Sequence, residues 1–345
     1  MRISAQVPMR IDLAGGTLDV YPLYLFEGGG LTVNAAIDCR ASVVIESLAG
    51  DKEPGVQIVI DSEDLGVREE IANLEEMTFG GPVDLAKRAL SYYRPEGRWQ
   101  ITLRSEAPRG SGLGASSALL MALSVCLNEI TGRRLGYERI IDVGANIEAQ
   151  VIGIPTGKQD YFPPIYGGVC AIWFGLDGWT FESLSADRDL VEVLDERLII
   201  SYTGIPHSSA VTNWAMLKAY IEREGDTVRR MKEIKAIAQA MRECLLDFDL
   251  GQFASLLDRE WTLRRGLAEG VTTPQIEAIM AAARDAGALA NKICGAGGGG
   301  CMITVAEPPQ VPKVKEALRA AGAEIMPVHL VRDGLVLERP LTHEP

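Results

Sequence analysis

The stretch Pro108-Arg109-Gly110-Ser111-Gly112-Leu113-Gly114-Ala115-Ser116-Ser117-Ala118 sets three glycines at alternate positions just before an apolar run of helical character. Glycine lets the main chain come close to a ligand and turn its amides inward, while the following helix offers unpaired N–H groups and the positive end of its dipole. Gly110, Ser111, Gly112, Leu113, Gly114, Ala115, Ser116 and Ser117 therefore form a candidate anion site, suited to phosphate. The Gly-Lys-Ser/Thr ending of a Walker loop is absent. The serines suit capping of the helix, and Ser116 also suits a magnesium ion bridging phosphates. A capped helix after a flexible turn is the plainer use of the same residues.

Two further glycine clusters accompany it. Lys292-Ile293-Cys294-Gly295-Ala296-Gly297-Gly298-Gly299-Gly300-Cys301 carries five glycines in six positions. That density costs backbone entropy and calls for close contact with something, either a ligand or another segment where domains cross. Near the start, Pro8-Met9-Arg10-Ile11-Asp12-Leu13-Ala14-Gly15-Gly16-Thr17-Leu18-Asp19 flanks a Gly-Gly turn with one arginine and two aspartates. It offers a cation for phosphate and a carboxylate for hydroxyl groups, or a solvated cap after a turn.

Residue patterning supplies the elements that must hold these loops. Strands are expected over 2–13, 30–47, 56–60, 99–105 and near 168–175, where Val, Ile and Thr alternate with polar residues. Helices are expected at 82–93 and 115–131, the second apolar around most of its circumference and hence buried on most sides. The stretch 180–196 reads as a domain crossing. A strand at 198–202 follows, then helical spacing through Met231, Ile234, Ile237, Met241 and Leu245 and again through Phe253, Leu256, Leu257 and Trp261. Thr273-Pro274 starts another helix, running to about Gly287. Strands at 301–305 and 325–331 enclose a helix opened by Pro312. Helices and strands mix without a regular βαβ repeat, so the class is α+β, in two domains of 1–195 and 196–345.

Composition narrows the partners. With 34 basic and 47 acidic residues the net charge is -13, which repels a nucleic-acid backbone. No window is apolar enough for a membrane span, and no secretory leader pattern opens the chain. Six scattered cysteines without a CxxC pair are expected to be reduced and mostly buried, in a cytoplasmic protein, and three histidines leave little room for a histidine metal cluster.

The three glycine motifs, in this order and at these distances, resemble those of the GHMP kinases, the family of galactokinase, homoserine kinase, mevalonate kinase and phosphomevalonate kinase. The likeness spans essentially the whole chain. It implies a two-domain fold with the active site in the cleft between the domains, and transfer of the γ-phosphate of ATP, with Mg2+, to the hydroxyl of a small molecule. It also implies that Asn146-Ile147-Glu148 supplies a metal-binding glutamate, so that Ser116 and Glu148 hold magnesium. Gly157-Lys158-Gln159-Asp160 then brings Asp160 to the attacking hydroxyl beside Arg10. A carboxylate after such a turn suits a general base, although phosphoryl transfer depends mainly on positioning, and the residues allow either role. Lys158 is a second cation or a solvated side chain.

Within the family, Gly16-Thr17 stands where galactokinases carry Glu-His. Leu13-Ala14-Gly15-Gly16 with Asp19, and Tyr166-Gly167-Gly168, are instead similar to bacterial heptose 7-phosphate kinases, which phosphorylate the anomeric hydroxyl of D-glycero-D-manno-heptose 7-phosphate. Tyr161 departs from that branch, where Gln is common. The resemblance assigns acceptor contacts to Gly15, Gly16, Thr17, Asp19, Gly297 and Gly298. A phosphorylated acceptor would need a second anion site, for which Arg40, Arg109 and Thr203 to Ser209, including His207, are candidates. The implied partner is a small-molecule sugar or sugar phosphate, and a homodimer is the candidate assembly. Galactose, fucose, a non-sugar alcohol, or a sugar-binding homologue without activity are the alternatives.

Overall fold

The computed structural model describes residues 1–48, 55–185, 189–206 and 209–339; His207 and Ser208, named above, lie outside them. Twelve strands are described: β1 (Arg2–Ala14), β2 (Gly30–Ser47), β3 (Ile58–Ser62), β4 (Val67–Ile71), β5 (Trp99–Ser105), β6 (Val169–Gly175), β7 (Gly178–Ser183), β8 (Leu198–Tyr202), β9 (Ala290–Ile293), β10 (Cys301–Val305), β11 (Glu324–Ile325) and β12 (Val336–Glu338). The first sheet runs β12-β1-β2-β5-β3-β4, with β6 on β2 and β7 on β6. Its ladders are antiparallel except β3 with β5. The second sheet, β11-β8-β10-β9, is antiparallel throughout.

The long ribbon of β1 and β2 sets the site. Ile3, Ala5 and Val7 face the core while Ser4 and Gln6 do not, the period of two expected for a half-covered strand. From Pro8 onward every residue of β1 is buried, including Arg10 and Asp12. Register shifts at Pro8/Met9 and Asp12/Ala14 mark bulges, which bend a ribbon and re-aim its side chains beside a functional site. Helix Ala115–Ile130 packs on both strands, with Leu120, Met121, Leu123 and Leu127 almost fully buried. Helix Tyr137–Ile152 lies against it at Gly144, where a Cβ would overlap the Met121 side chain.

Several expectations change. The strand at 56–60 sits at Ile58–Ser62, and the presumed crossing at 180–196 holds strand β7 and a helix, Leu190–Asp195. Of the expected 325–331 strand only Ile325 pairs in a ladder, as the end of β11; Leu330 makes an isolated bridge to Ile37. Helices Tyr137–Ile152 and Ser209–Ile221 were not foreseen. The chain also leaves the second unit near its end, and β12 joins the outer edge of β1. All six cysteines are free and buried.

Candidate active site

A cleft of about 510 Å³ opens beside the bulged end of β1, walled by Gly110 to Ser117 on one side and by Thr156, Gly157, Gln159 and Asp160 on another, with Asn213 reaching in from the second unit. Every residue assigned to phosphate lies on this wall, together with Arg10, Thr17, Asp19, Glu148 and Asp160.

At the glycine loop, Gly114 is the N-cap of helix Ala115–Ile130 with φ 74°, and no side chain caps the helix. The expected serine cap is therefore replaced: Ser116 and Ser117 donate instead to the two oxygens of Glu148, the latter at 2.8 Å. The first amides of the helix stay available to an anion in the cleft. Tyr161 donates its hydroxyl to the same carboxylate. Burial and then Glu148 push its phenol well above the usual range, which keeps it a donor. Tyr161 is fully buried and off the cleft wall, so the departure noted above alters the support of Glu148.

Next along the cleft, Arg10 grips Asp160 with Nε and Nη2, at 2.8 and 2.7 Å, both on Oδ1. Burial works against the guanidinium charge, but Asp160 and Asp12 outweigh it and raise the arginine further. Oδ2 of Asp160 is turned towards Gly114, where even a Cβ would touch it at 3.4 Å.

At the far end of the cleft the polar groups are buried. Asp19 is 2% exposed; Oδ2 takes the Gln159 amide at 2.9 Å, while Oδ1 has no partner. Burial drives its carboxyl up to about 6, against the pull of the Gln159 amide. Gly157 is required here, since a Cβ would overlap the Asp19 carboxylate. Gln159 lines the same wall, and its Oε1 is also buried without a partner.

Behind the cleft the two units are locked by charge. Lys292 of β9 binds Asp12 Oδ2 at 2.5 Å, both side chains 0% exposed, and the Gly295 amide binds Oδ1 at 2.6 Å. Burial raises Asp12, but Lys292, Arg10 and Arg264 outweigh it and hold the carboxyl below its ordinary value. Arg264, paired with Glu260 at 2.5 Å and equally buried, donates 2.8 Å to the Gly16 carbonyl and 3.3 Å to the Thr17 hydroxyl.

Several assigned residues take another part. Gly15 and Gly16 are off the wall and shape the loop: Gly15 has φ 84°, and a Cβ there would overlap the Leu31 carbonyl. Gly297 and Gly298 turn onto Val271, whose carbonyl takes the Gly298 amide at 2.6 Å, while Gly295 and Ala296 reach the cleft. The third motif is thus a tight crossing, with the Cys301 amide 2.6 Å from the Ser111 carbonyl. Among the candidates for a second anion site, Arg40 is off the wall, Arg109 sits on the glycine loop, and Thr203 is buried against the Gly300 carbonyl. Lys158 is tied to Asp142 at 2.6 Å.

Sequence reasoning missed Gln159, Asn213, Glu260, Arg264, Lys292 and Tyr161 as parts of the site. A Glu-Arg pair at i,i+4 on a helix ordinarily marks a solvated face, and Lys292 offered only its place beside the glycines.

No group of three or more His, Cys, Asp or Glu side chains able to hold a metal occurs among the described residues, and no helix among them is long and apolar enough to cross a membrane. Two family descriptions match: GHMP kinases N terminal domain over residues 83–168, and GHMP kinases C terminal over residues 216–324. D-glycero-alpha-D-manno-heptose 7-phosphate kinase of Campylobacter jejuni is 27% identical over 340 residues, spanning 96% of this chain and 98% of that protein. A mevalonate kinase of Thermococcus sibiricus is 28% identical over 354 residues, spanning 98% and 99%. The crystal structure of a D-glycero-D-manno-heptose 1-phosphate kinase from Bacteroides thetaiotaomicron superposes with a TM-score of 0.77 at 26% identity, covering 98% of this chain and 99% of that one.

Proposed function

The chain belongs to the GHMP kinases, and from that premise we propose that it transfers the γ-phosphate of ATP to the anomeric hydroxyl of a sugar, with D-glycero-D-manno-heptose 7-phosphate as the first acceptor to test. The observation that carries the sugar reading is the pair of buried, unpaired acceptor atoms, Asp19 Oδ1 and Gln159 Oε1, on the wall beyond Asp160. A buried polar atom without a partner costs on the order of 1–3 kcal/mol, and hydroxyl donors of a polyol would recover it.

In this reading the amides of the glycine loop and the open helix end take the phosphates. Arg10 fixes Asp160 through Oδ1, and Oδ2 accepts the proton of the attacking hydroxyl or holds that hydroxyl in line. Ser116 and Glu148, which meet on the cleft wall, would hold a magnesium ion, and that ion would neutralise phosphate charge. Tyr161 and Ser117 fix the Glu148 carboxylate.

A coupled kinase assay over heptose 7-phosphate, mannose, galactose, fucose, arabinose and mevalonate, with NMR of the product, tests the reading. Phosphate on the anomeric oxygen of a sugar is expected. Turnover of mevalonate alone would overturn it in favour of a non-sugar alcohol kinase, the reading favoured by the 28% identical mevalonate kinase. Binding of a sugar without any turnover would make the chain a sugar-binding relative of the kinases.

A further inference from the structure

Thr17 occupies the left-handed region at φ 76°, a strained conformation for a β-branched residue, while only 2% exposed. Such strain persists only where surrounding contacts impose it. Here the contacts form a line across the two units. Glu260 accepts two bonds from Arg264, Arg264 donates to the Gly16 carbonyl and the Thr17 hydroxyl, and the Thr17 hydroxyl lies 3.1 Å from Oδ1 of Asn213.

The direction of each bond is fixed by chemistry. A guanidinium only donates, so the Thr17 oxygen is the acceptor towards Arg264 and its own proton must go elsewhere. Of the two acceptors within reach, the Asn213 carboxamide oxygen at 3.1 Å is stronger and nearer than the Met216 sulfur at 3.6 Å. Once the carboxamide oxygen is committed to Thr17, the amide NH2 is the free end of Asn213, and Asn213 lines the cleft with Thr17 and Asp19.

We infer that Asn213 is a specificity-determining residue for the acceptor, presenting an amide donor into the cleft that the acceptor oxygens of Asp19 and Gln159 also line, with Arg264 and Thr17 as the residues that set its polarity. Resting on the sugar reading above, this explains how a wall of acceptors suits a polyol. Each sugar hydroxyl both donates and accepts, so a pair of neighbouring hydroxyls is satisfied only when a donor stands among the acceptors. The structure supplies that donor from the second unit, through a relay whose far end is the sealed Glu260–Arg264 pair.

The test is steady-state kinetics on the sugar identified by the panel, with monodeoxy analogues of it. Asn213→Asp, which keeps the oxygen for Thr17 and replaces the amide by an acceptor, is expected to raise the acceptor KM at least tenfold, with kcat within threefold and the ATP KM unchanged. Thr17→Ala, which frees the amide to rotate, should raise the acceptor KM in the same direction, and Thr17→Ser, which keeps the hydroxyl, should restore it. One monodeoxy analogue should lose affinity in the wild type and lose no more in Asn213→Asp. An unchanged acceptor KM in Asn213→Asp, or an equal fall in kcat and in the affinity for every analogue, overturns the inference while leaving the sugar kinase intact. A wild type that phosphorylates no sugar fails the parent reading and the inference with it. Should Asn213→Asp not fold, Asn213→Leu, which removes the amide donor at similar volume, carries the acceptor KM comparison.

Discussion

Asp160 and Asp12 each meet a buried cation, yet the two pairs are built for different ends. Asp160 is 27% exposed at its side chain, uses one oxygen for Arg10 and turns the other to the glycine loop. Asp12 is sealed, with one oxygen on Lys292 and the other on the Gly295 amide. A carboxylate whose oxygens are both taken has nothing left for a substrate, whereas one held by a single edge is oriented and still open. Proximity to a cation thus does not separate the two acids; an oxygen left uncommitted does, a feature Asp160 shares with Asp19.

The contrast is tested most strongly by Asp160→Asn, for which kcat is expected to fall at least about a hundredfold, the lower range for a general-base group, with ATP binding retained by calorimetry. Near-wild-type turnover would remove Asp160 from the chemistry. The sealed pair should respond in stability. Lys292→Met leaves Asp12 buried without its ion-pair partner and is expected to cost up to about 3–5 kcal/mol in urea unfolding, while the double variant with Asp12→Asn recovers part of the loss. A loss confined to kcat in Lys292→Met would place that pair in the reaction.

Asp19 gives the smallest and most graded effect. Its carboxyl is pushed up to about 6, so the acceptor oxygen is fully charged only above that pH. Acceptor kcat/KM is expected to fall about tenfold per pH unit below 6, and the Asp19→Asn variant should lose that limb of the profile. The stability linkage has the opposite sense. The folded protein binds the Asp19 proton more tightly than the unfolded chain, so this group's contribution is greatest at low pH and declines as pH rises from 3.8 through about 6, by on the order of 3 kcal/mol. A bound polyol that donates to Oδ1 would offset it.

The glycine-loop end of the cleft was legible in the sequence because backbone makes it: glycines at alternate positions before an apolar helix announce amides, whatever surrounds them. Strands 30–47 and 99–105 and the Thr273 cap, which accepts from the Ile276 amide at 3.2 Å, were legible for the same local reason. The far end was legible only in part. Asp19 could be named from its Gly-Gly loop, but Gln159, Asn213 and Arg264 come from three other segments, and what brings them in is burial, an unpaired Gln159 oxygen and contacts made across the fold, none of which has a period or a spacing. Gly297 and Gly298 misled because close approach to a chain and to a ligand demand the same residue. The return of β12 to β1 escaped because three residues of an edge strand leave no pattern.

That return bears on how the protein is made. During synthesis β1 emerges first, yet its outer edge is covered only when Val336–Glu338 follow. Arg10 meets Asp160 midway, and Asp12 waits for Lys292. A nascent first unit therefore carries an open strand edge and an unpaired acidic charge through most of translation, the features that invite misassociation. Without Val336–Glu338 the outer edge of β1 at Ser4–Gln6 stays unpaired, an open template for another strand.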